Sequence, residues 1–170
     1  SQEMYSAEGR KGIVKSPIEY LVGFIRSTGL ECTVQNFRTR TENCGQILCA
    51  PYSVAGWPAG DAWFSADSAM QRANAIQACI SSSRAYQSGT LMYDLASILP
   101  APPTAENVVD EMCKLLNIRP TTGQRDEYIA YLNVTGNGTP STFDGTDAAH
   151  INERVRGLLY ILSQHPDAHV

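Results

Sequence analysis

Between Gly45 and Trp63 the chain runs Gly-Gln-Ile-Leu-Cys-Ala-Pro-Tyr-Ser-Val-Ala-Gly-Trp-Pro-Ala-Gly-Asp-Ala-Trp. Pro51, Pro58 and the scattered glycines stop any helix that enters this stretch. Loops are ordinarily polar and exposed, so Trp57 and Trp63 must either be buried against the flanking elements or form a binding surface. Burial of an aromatic ring is the larger energy, so the segment reads as a loop plugging a helical core, with Trp57 as its anchor. The elements on either side must then be long enough, and apolar enough on one face, to receive it.

They are, and all of them have helical spacing. Ser16-Pro17-Ile18-Glu19 carries a cap, a proline at the first helical position and the acid of a capping box, and Gly29 is placed to end the helix. Val34, Phe37, Cys44, Ile47 and Leu48 fit one face of a second helix extending to Leu48. A third is predicted from Ser65 or Asp67 to about Ser82, with Met70, Ala73, Ile76, Cys79 and Ile80 inward. Leu91 to Leu99 make a short apolar segment, followed by a stiff connector at Pro100, Pro102 and Pro103. Thr104 caps a helix with the stripe Val108, Val109, Met112, Leu115 and Leu116, and Thr122 opens a shorter one. A loop, mobile by composition, follows at Gly136–Ser141. Asp147 caps a last helix carrying Ile151, Val155, Leu158, Leu159 and Leu162. No stretch alternates as a strand does. The predicted fold is all-α: a single irregular helical domain of about six or seven helices over residues 16–170, with residues 1–15 an amino-terminal extension and a Trp/Pro/Gly-rich loop inside it.

Charge and cysteine content narrow the functions. A net charge of −4, with Arg38 and Arg40 the nearest approach to a basic patch, argues against a general nucleic-acid binder. No apolar run reaches the roughly 20 residues that span a bilayer. Cys32, Cys44, Cys49, Cys79 and Cys113 include no zinc or haem spacing. They are read as buried thiols, with one or two disulfides as the alternative, which would imply an oxidising compartment. In a regular helix, residues five apart diverge, so Cys44 and Cys49 bridge only if the helix ends between them.

Three segments taken together are familiar: Lys15-Ser16-Pro17-Ile18-Glu19-Tyr20-Leu21-Val22-Gly23, Gly45-Gln46-Ile47-Leu48 through Ala55-Gly56-Trp57-Pro58 to Trp63, and Arg154-Val155-Arg156-Gly157-Leu158-Leu159-Tyr160. In this order and spacing they resemble the carboxyl-terminal part of the bacterial domain of unknown function 1800 family (DUF1800). That family shows a Gly-Gln-x-Leu-Phe-x-Pro-Pro-x-x-x-Gly-Trp segment followed by an arginine and an asparagine on the next helix, here Arg72 and Asn74. Cys49 replaces its usual Phe, Tyr52 a second Pro, and Cys44 an aliphatic residue. The resemblance implies a large helical region ahead of these residues, and hence a fragment, a matured product or one subunit of a split protein. The partner it implies is another polypeptide, either that amino-terminal part or a second copy of the chain. An isolated chain of this kind should leave an apolar patch on the helices starting at Ser16 and Asp147.

The chemistry-bearing residues were weighed in the same way. Arg72 and Asn74 diverge by roughly 200° on a helix, so one meets a pocket and the other solvent or a loop carbonyl. Hydrogen bonding to the Trp57 loop is the expected role. His150, His165 and His169 read as solvated residues near the terminus, and Asp144, Asp147 and Glu153 do not match a calcium loop. No nucleophile motif or cofactor fingerprint is present, and no cofactor or metal is expected. Three readings follow. The first is a structural and interaction domain that is secreted, periplasmic or at the cell surface, within a larger assembly. The second is a hydrolase-like enzyme subunit completed by another chain. The third is a carbohydrate-binding module using Trp57 and Trp63, with Arg72 and Asn74 beside them.

Overall fold

The computed structural model describes residues 13–30, 34–80 and 95–170, with the backbone alone for 34–36. Cys32 and the first four residues of the Leu91–Leu99 segment lie outside the described residues; within the part described, Leu95–Ile98 is a 3-10 turn. All regular structure among the described residues is helical, as the spacing predicts. Extended backbone pairs only as single bridges, Ser53 with Gly56 and Val134 with Pro140. No described helix is long and apolar enough to cross a membrane. The chain divides into two compact units, one from residues up to 82 together with 166–170, the other from 83 to 165.

In the first unit, helix α1 (Pro17–Thr28) has a fully accounted amino terminus. Pro17 has no amide to satisfy, Glu19 N–H donates to Ser16 Oγ at 3.3 Å, and Ser16 N–H donates to Glu19 Oε2 at 2.8 Å. The remaining donor, Ile18 N–H, is taken by Gln46 Oε1 at 2.9 Å. The Gln of the Gly-Gln segment is therefore a cap supplied from another helix end, and it is buried there. Tyr20, Leu21, Phe24 and Thr28 face inward, and the Thr28 hydroxyl donates to Phe24 O at 2.7 Å. Gly29 ends α1 in the left-handed conformation.

Helix α2 (Val34–Asn43) stops short of the predicted Leu48. Gly45 N–H donates to Glu42 O at 2.9 Å and Gln46 N–H to Thr41 O at 2.8 Å, with Gly45 at φ 91. This is a Schellman closure, and it takes precedence over the apolar spacing that continues past it. Ile47 and Leu48 consequently lie beyond the helix and are exposed. Helix α3 (Ala66–Ile80) opens with a reciprocal serine pair: Ser68 N–H donates to Ser65 Oγ at 3.2 Å and Ser65 N–H to Ser68 Oγ at 2.8 Å. Its buried face is Arg72, Ala75, Ile76, Cys79 and Ile80. Met70, predicted inward, is 56 % exposed, because the stripe is rotated to include the arginine. Residues 166–169 form a closing 3-10 turn.

In the second unit, Thr104 caps α4 (Ala105–Leu115), and Asn117, at φ 56, closes it with a second Schellman pattern to Lys114 and Cys113. Helix α5 (Thr122–Leu132) opens at Thr122 as predicted and is capped by Thr121 in a box completed by Gln124. The 136–141 segment, expected to be mobile, is a hydrogen-bonded turn: Thr135 N–H donates to Thr139 O at 2.9 Å and Gly138 N–H to Thr135 O at 2.8 Å. Asp147 caps one α-helical turn (Ala148–His150), which continues as a π turn (Ile151–Val155) into α6 (Arg156–Ser163). The five apolar residues predicted inward, Ile151 to Leu162, are all buried. A side chain at Gly157 would overlap the Tyr131 hydroxyl, so this glycine permits the close packing of α5 on α6.

Arg125 Nε and Nη2 grip both oxygens of Asp110 at 2.7 and 2.9 Å, tying α5 to α4. The hydrogen bonds from Arg125 hold the Asp110 carboxyl below the usual carboxylate range. A depressed carboxylate stabilises the fold above its unfolded-state pKa and loses that contribution as pH falls through the folded-state value. Asp110→Asn should therefore melt lower than the parent at neutral pH, and the two melting curves should converge below the carboxylate range. A difference independent of pH would show that the pair acts through packing alone.

Candidate functional site

Arg72 is 0 % exposed, the largest fully buried side chain among the described residues, and it lies on the inner face of α3. Its Nη2 donates to Lys15 O at 2.7 Å and to Trp63 O at 3.3 Å. Trp63 O also accepts from Ser68 Oγ at 3.0 Å. Two ring faces flank the guanidinium, Tyr20 at 5.2 Å and Phe64 at 5.6 Å from the ring centroids. Its Nε and Nη1 have no hydrogen-bond acceptor, so the ring quadrupoles are what offsets their burial. Burial pushes Arg72 down from the ordinary arginine range, while the neighbouring Cys44 and Tyr20 pull it back up.

Lys15 extends the cluster. Its N–H donates to His169 O at 2.8 Å and its Nζ to Ala168 O at 2.9 Å. Burial lowers its pKa, and Arg72 lowers it further against the opposing pull of Glu19 and Asp167. The His169 ring stacks on Tyr20 at 4.8 Å and meets the edge of Phe64 at 5.0 Å. His169 is thus buried within an aromatic group and not solvated as expected of a terminal histidine. His150 also departs from that expectation: it is half-buried, with Nδ1 accepting from Asp144 N–H at 3.0 Å. The grouping of Phe64 with His169 is not visible in the sequence, since it comes from the return of residues 166–169 to α1.

The remaining candidates separate. Trp63 is 7 % exposed and packs inward from the 3-10 turn Gly60–Trp63, whereas Trp57 is 37 % exposed. The anchoring tryptophan is the one adjoining α3, whose carbonyl Arg72 and Ser68 hold, and not Trp57. Asn74 lies on the exposed side of α3, diverging from Arg72 as the helical geometry requires. Cys44, Cys79 and Cys113 are buried and Cys49 is exposed, and no disulfide joins any two of these four described cysteines. Burial pushes Cys44 up to about 11 and Cys113 up to about 11, so both are protonated at neutral pH and poor nucleophiles. Among the described residues no three His, Cys, Asp or Glu side chains gather as metal ligands.

A second buried arginine opens the Arg154–Tyr160 segment. Arg154, 4 % exposed, donates from Nη1 to Leu132 O and Ser141 O, each at 2.8 Å, and from Nη2 to Ser141 Oγ at 3.0 Å. It satisfies a terminal carbonyl of α5 and fixes the turn after it. The signal available in both cases is an arginine at a core-facing position of an apolar stripe.

The arrangement around Arg72 holds backbone carbonyls from two separate stretches of chain. Arg72→Ala should cost about 3 kcal/mol, from the truncated side chain and the orphaned Lys15 carbonyl. Arg72→Lys should recover part of this, because an ammonium can reach a carbonyl but cannot lie flat between two rings. Urea unfolding measures both. A loss below about 1 kcal/mol for the alanine variant would remove Arg72 from the centre of this unit.

A family model described as "Protein of unknown function (DUF1800)" matches residues 1–169. No curated protein and no solved structure matches the chain. With the cap box at Ser16, the Gly45-Gln46 closure and the Arg154 turn each given a physical role, the chain belongs to the DUF1800 family.

Proposed function

We propose that the chain is a structural and interaction domain of a larger assembly, binding another polypeptide through the loop that precedes α3. One observation carries this reading. Of the eight large apolar side chains exposed among the described residues, seven lie between positions 47 and 70: Ile47, Leu48, Tyr52, Val54, Trp57, Phe64 and Met70. Single exposed apolar residues need no explanation, but such a concentration marks an interaction surface. It lies in this loop and at the start of α3, and not on the helices starting at Ser16 and Asp147, whose apolar stripes are buried. Tyr52 and Trp57 are residue types that dominate the energy of protein interfaces.

The groups that could act chemically support the same reading. Arg72 and Arg154 are buried and held by hydrogen bonds to backbone carbonyls, and the Cys44 and Cys113 thiols are held protonated. A hydrolase-like subunit would need such groups free to face a partner's substrate. A carbohydrate platform would use Trp57 and Tyr52 but would leave Ile47, Leu48, Val54 and Met70 exposed without purpose.

The test is native mass spectrometry of the chain drawn from its source cells, including the envelope and secreted fractions in which the sequence reading expects it. The expected result is a complex with a second polypeptide. Val54→Ser together with Trp57→Ser should dissolve that complex, while Val54→Ser alone shifts the unfolding free energy by no more than about 0.5 kcal/mol. A lone chain in every fraction, or a complex indifferent to both substitutions, would contradict the reading.

A further inference from the structure

The exposed apolar segment has a shape that defines what it fits. Gly56 N–H donates to Ser53 O at 3.0 Å and Ala55 N–H to Ser53 Oγ at 3.2 Å, so Ser53–Gly56 is a closed turn. Gly56 sits at φ 95, a conformation that favours glycine. Val54 occupies the first corner and is fully exposed, at 111 %. The turn is braced at its base: the Tyr52 hydroxyl donates to Gly45 O at 2.6 Å, on the residue that closes α2. On the other side Trp57 leads to Pro58, which restricts the backbone. The result is a convex apolar tip on a fixed base, which gives up little conformational freedom on docking. A convex tip calls for a concave apolar socket.

Charge selects among possible owners of that socket. Residues 47–70 contain Asp61 and Asp67, both exposed, and no Lys, Arg or His. The whole chain carries −4. A second copy would bring acid to acid, whereas a socket rimmed by Lys or Arg would be attracted and oriented by the same field. We propose that the Ser53–Gly56 turn, with Tyr52 and Trp57, is a knob that inserts into an apolar pocket of a different polypeptide, rimmed by basic residues. This rests on the interaction reading above and specifies its occupant.

The experiment places a photoreactive benzophenone side chain at position 54, with the exposed position 126 on α5 as control, in the chain expressed in its source cells. Irradiation should produce an adduct from position 54 and none from position 126. Mass spectrometry should map the labelled peptide to a different polypeptide, at an apolar site flanked by Lys or Arg. Neutralising the loop with Asp61→Asn and Asp67→Asn should lower the adduct yield several-fold at low ionic strength and leave it little changed at high salt. An adduct to a second copy of the chain, or a yield indifferent to both neutralisations, would overturn the proposal. A complex that persists in native mass spectra while position 54 stays unlabelled would overturn it and leave the interaction reading standing. A chain found alone would overturn both.

Discussion

A fully buried guanidinium has to be answered, and the way Arg72 is answered orders the first unit. Its Nη2 draws in the Lys15 carbonyl from the lead-in to α1 and the Trp63 carbonyl from the turn before α3. Tyr20 from α1 and Phe64 from the loop cover its faces. Lys15, so placed, offers its own amide and ammonium to the carbonyls of His169 and Ala168, which seats the last turn. Three stretches of chain, at residues 15–20, 63–64 and 168–169, are therefore positioned around one side chain on α3. Replacing such a group with apolar bulk can be energetically neutral in other folds, so the function of Arg72 here is best described as specifying which segments meet.

Arg154 repeats the device in the second unit with different partners. Both arginines sit where the helical stripe faces inward, and each donates to two backbone carbonyls outside the helix that carries it. This economy leaves the polar interior committed to structure. What the first unit turns outward is instead an apolar loop with two acids, braced at Tyr52 and anchored at Trp63. Rigidity beneath and exposure above are what the proposed partner-binding role requires of this loop, and the arginine that holds the Trp63 carbonyl contributes to the first.

Much of the helical framework was legible because it is written in local rules. Ser16-Pro17-x-Glu19, Gly29, Thr104 and Asp147 act as the caps and stops their chemistry suggests. The errors have a common origin in interactions between distant residues. Periodicity carried α2 through Leu48, but the Schellman closure at Gly45 ended it, reinforced by the engagement of Gln46 with α1. The apolar spacing alone puts Met70 on the inner face of α3, whereas the buried face is centred on Arg72, a polar residue that an apolar count leaves out. Trp57 drew attention through its Gly and Pro neighbours, while the buried ring is Trp63, whose position is fixed by the turn entering α3. The burial of His169 depends wholly on the terminal segment packing on α1, which no local pattern encodes.

The central claim is that Arg72 holds these segments together as one cooperative group, and native-state hydrogen exchange of Arg72→Met measures it most directly. The substitution keeps the length and apolar bulk of the side chain and removes its donors. If the account is right, the Lys15 amide, bonded to His169, and the Phe64 amide, bonded to Asp61, should lose protection together with the amides of the first turns of α1 and α3. Wild-type protection at Lys15 and Phe64 in the methionine variant would show that these segments are held by packing without the arginine's hydrogen bonds, and would contradict the account.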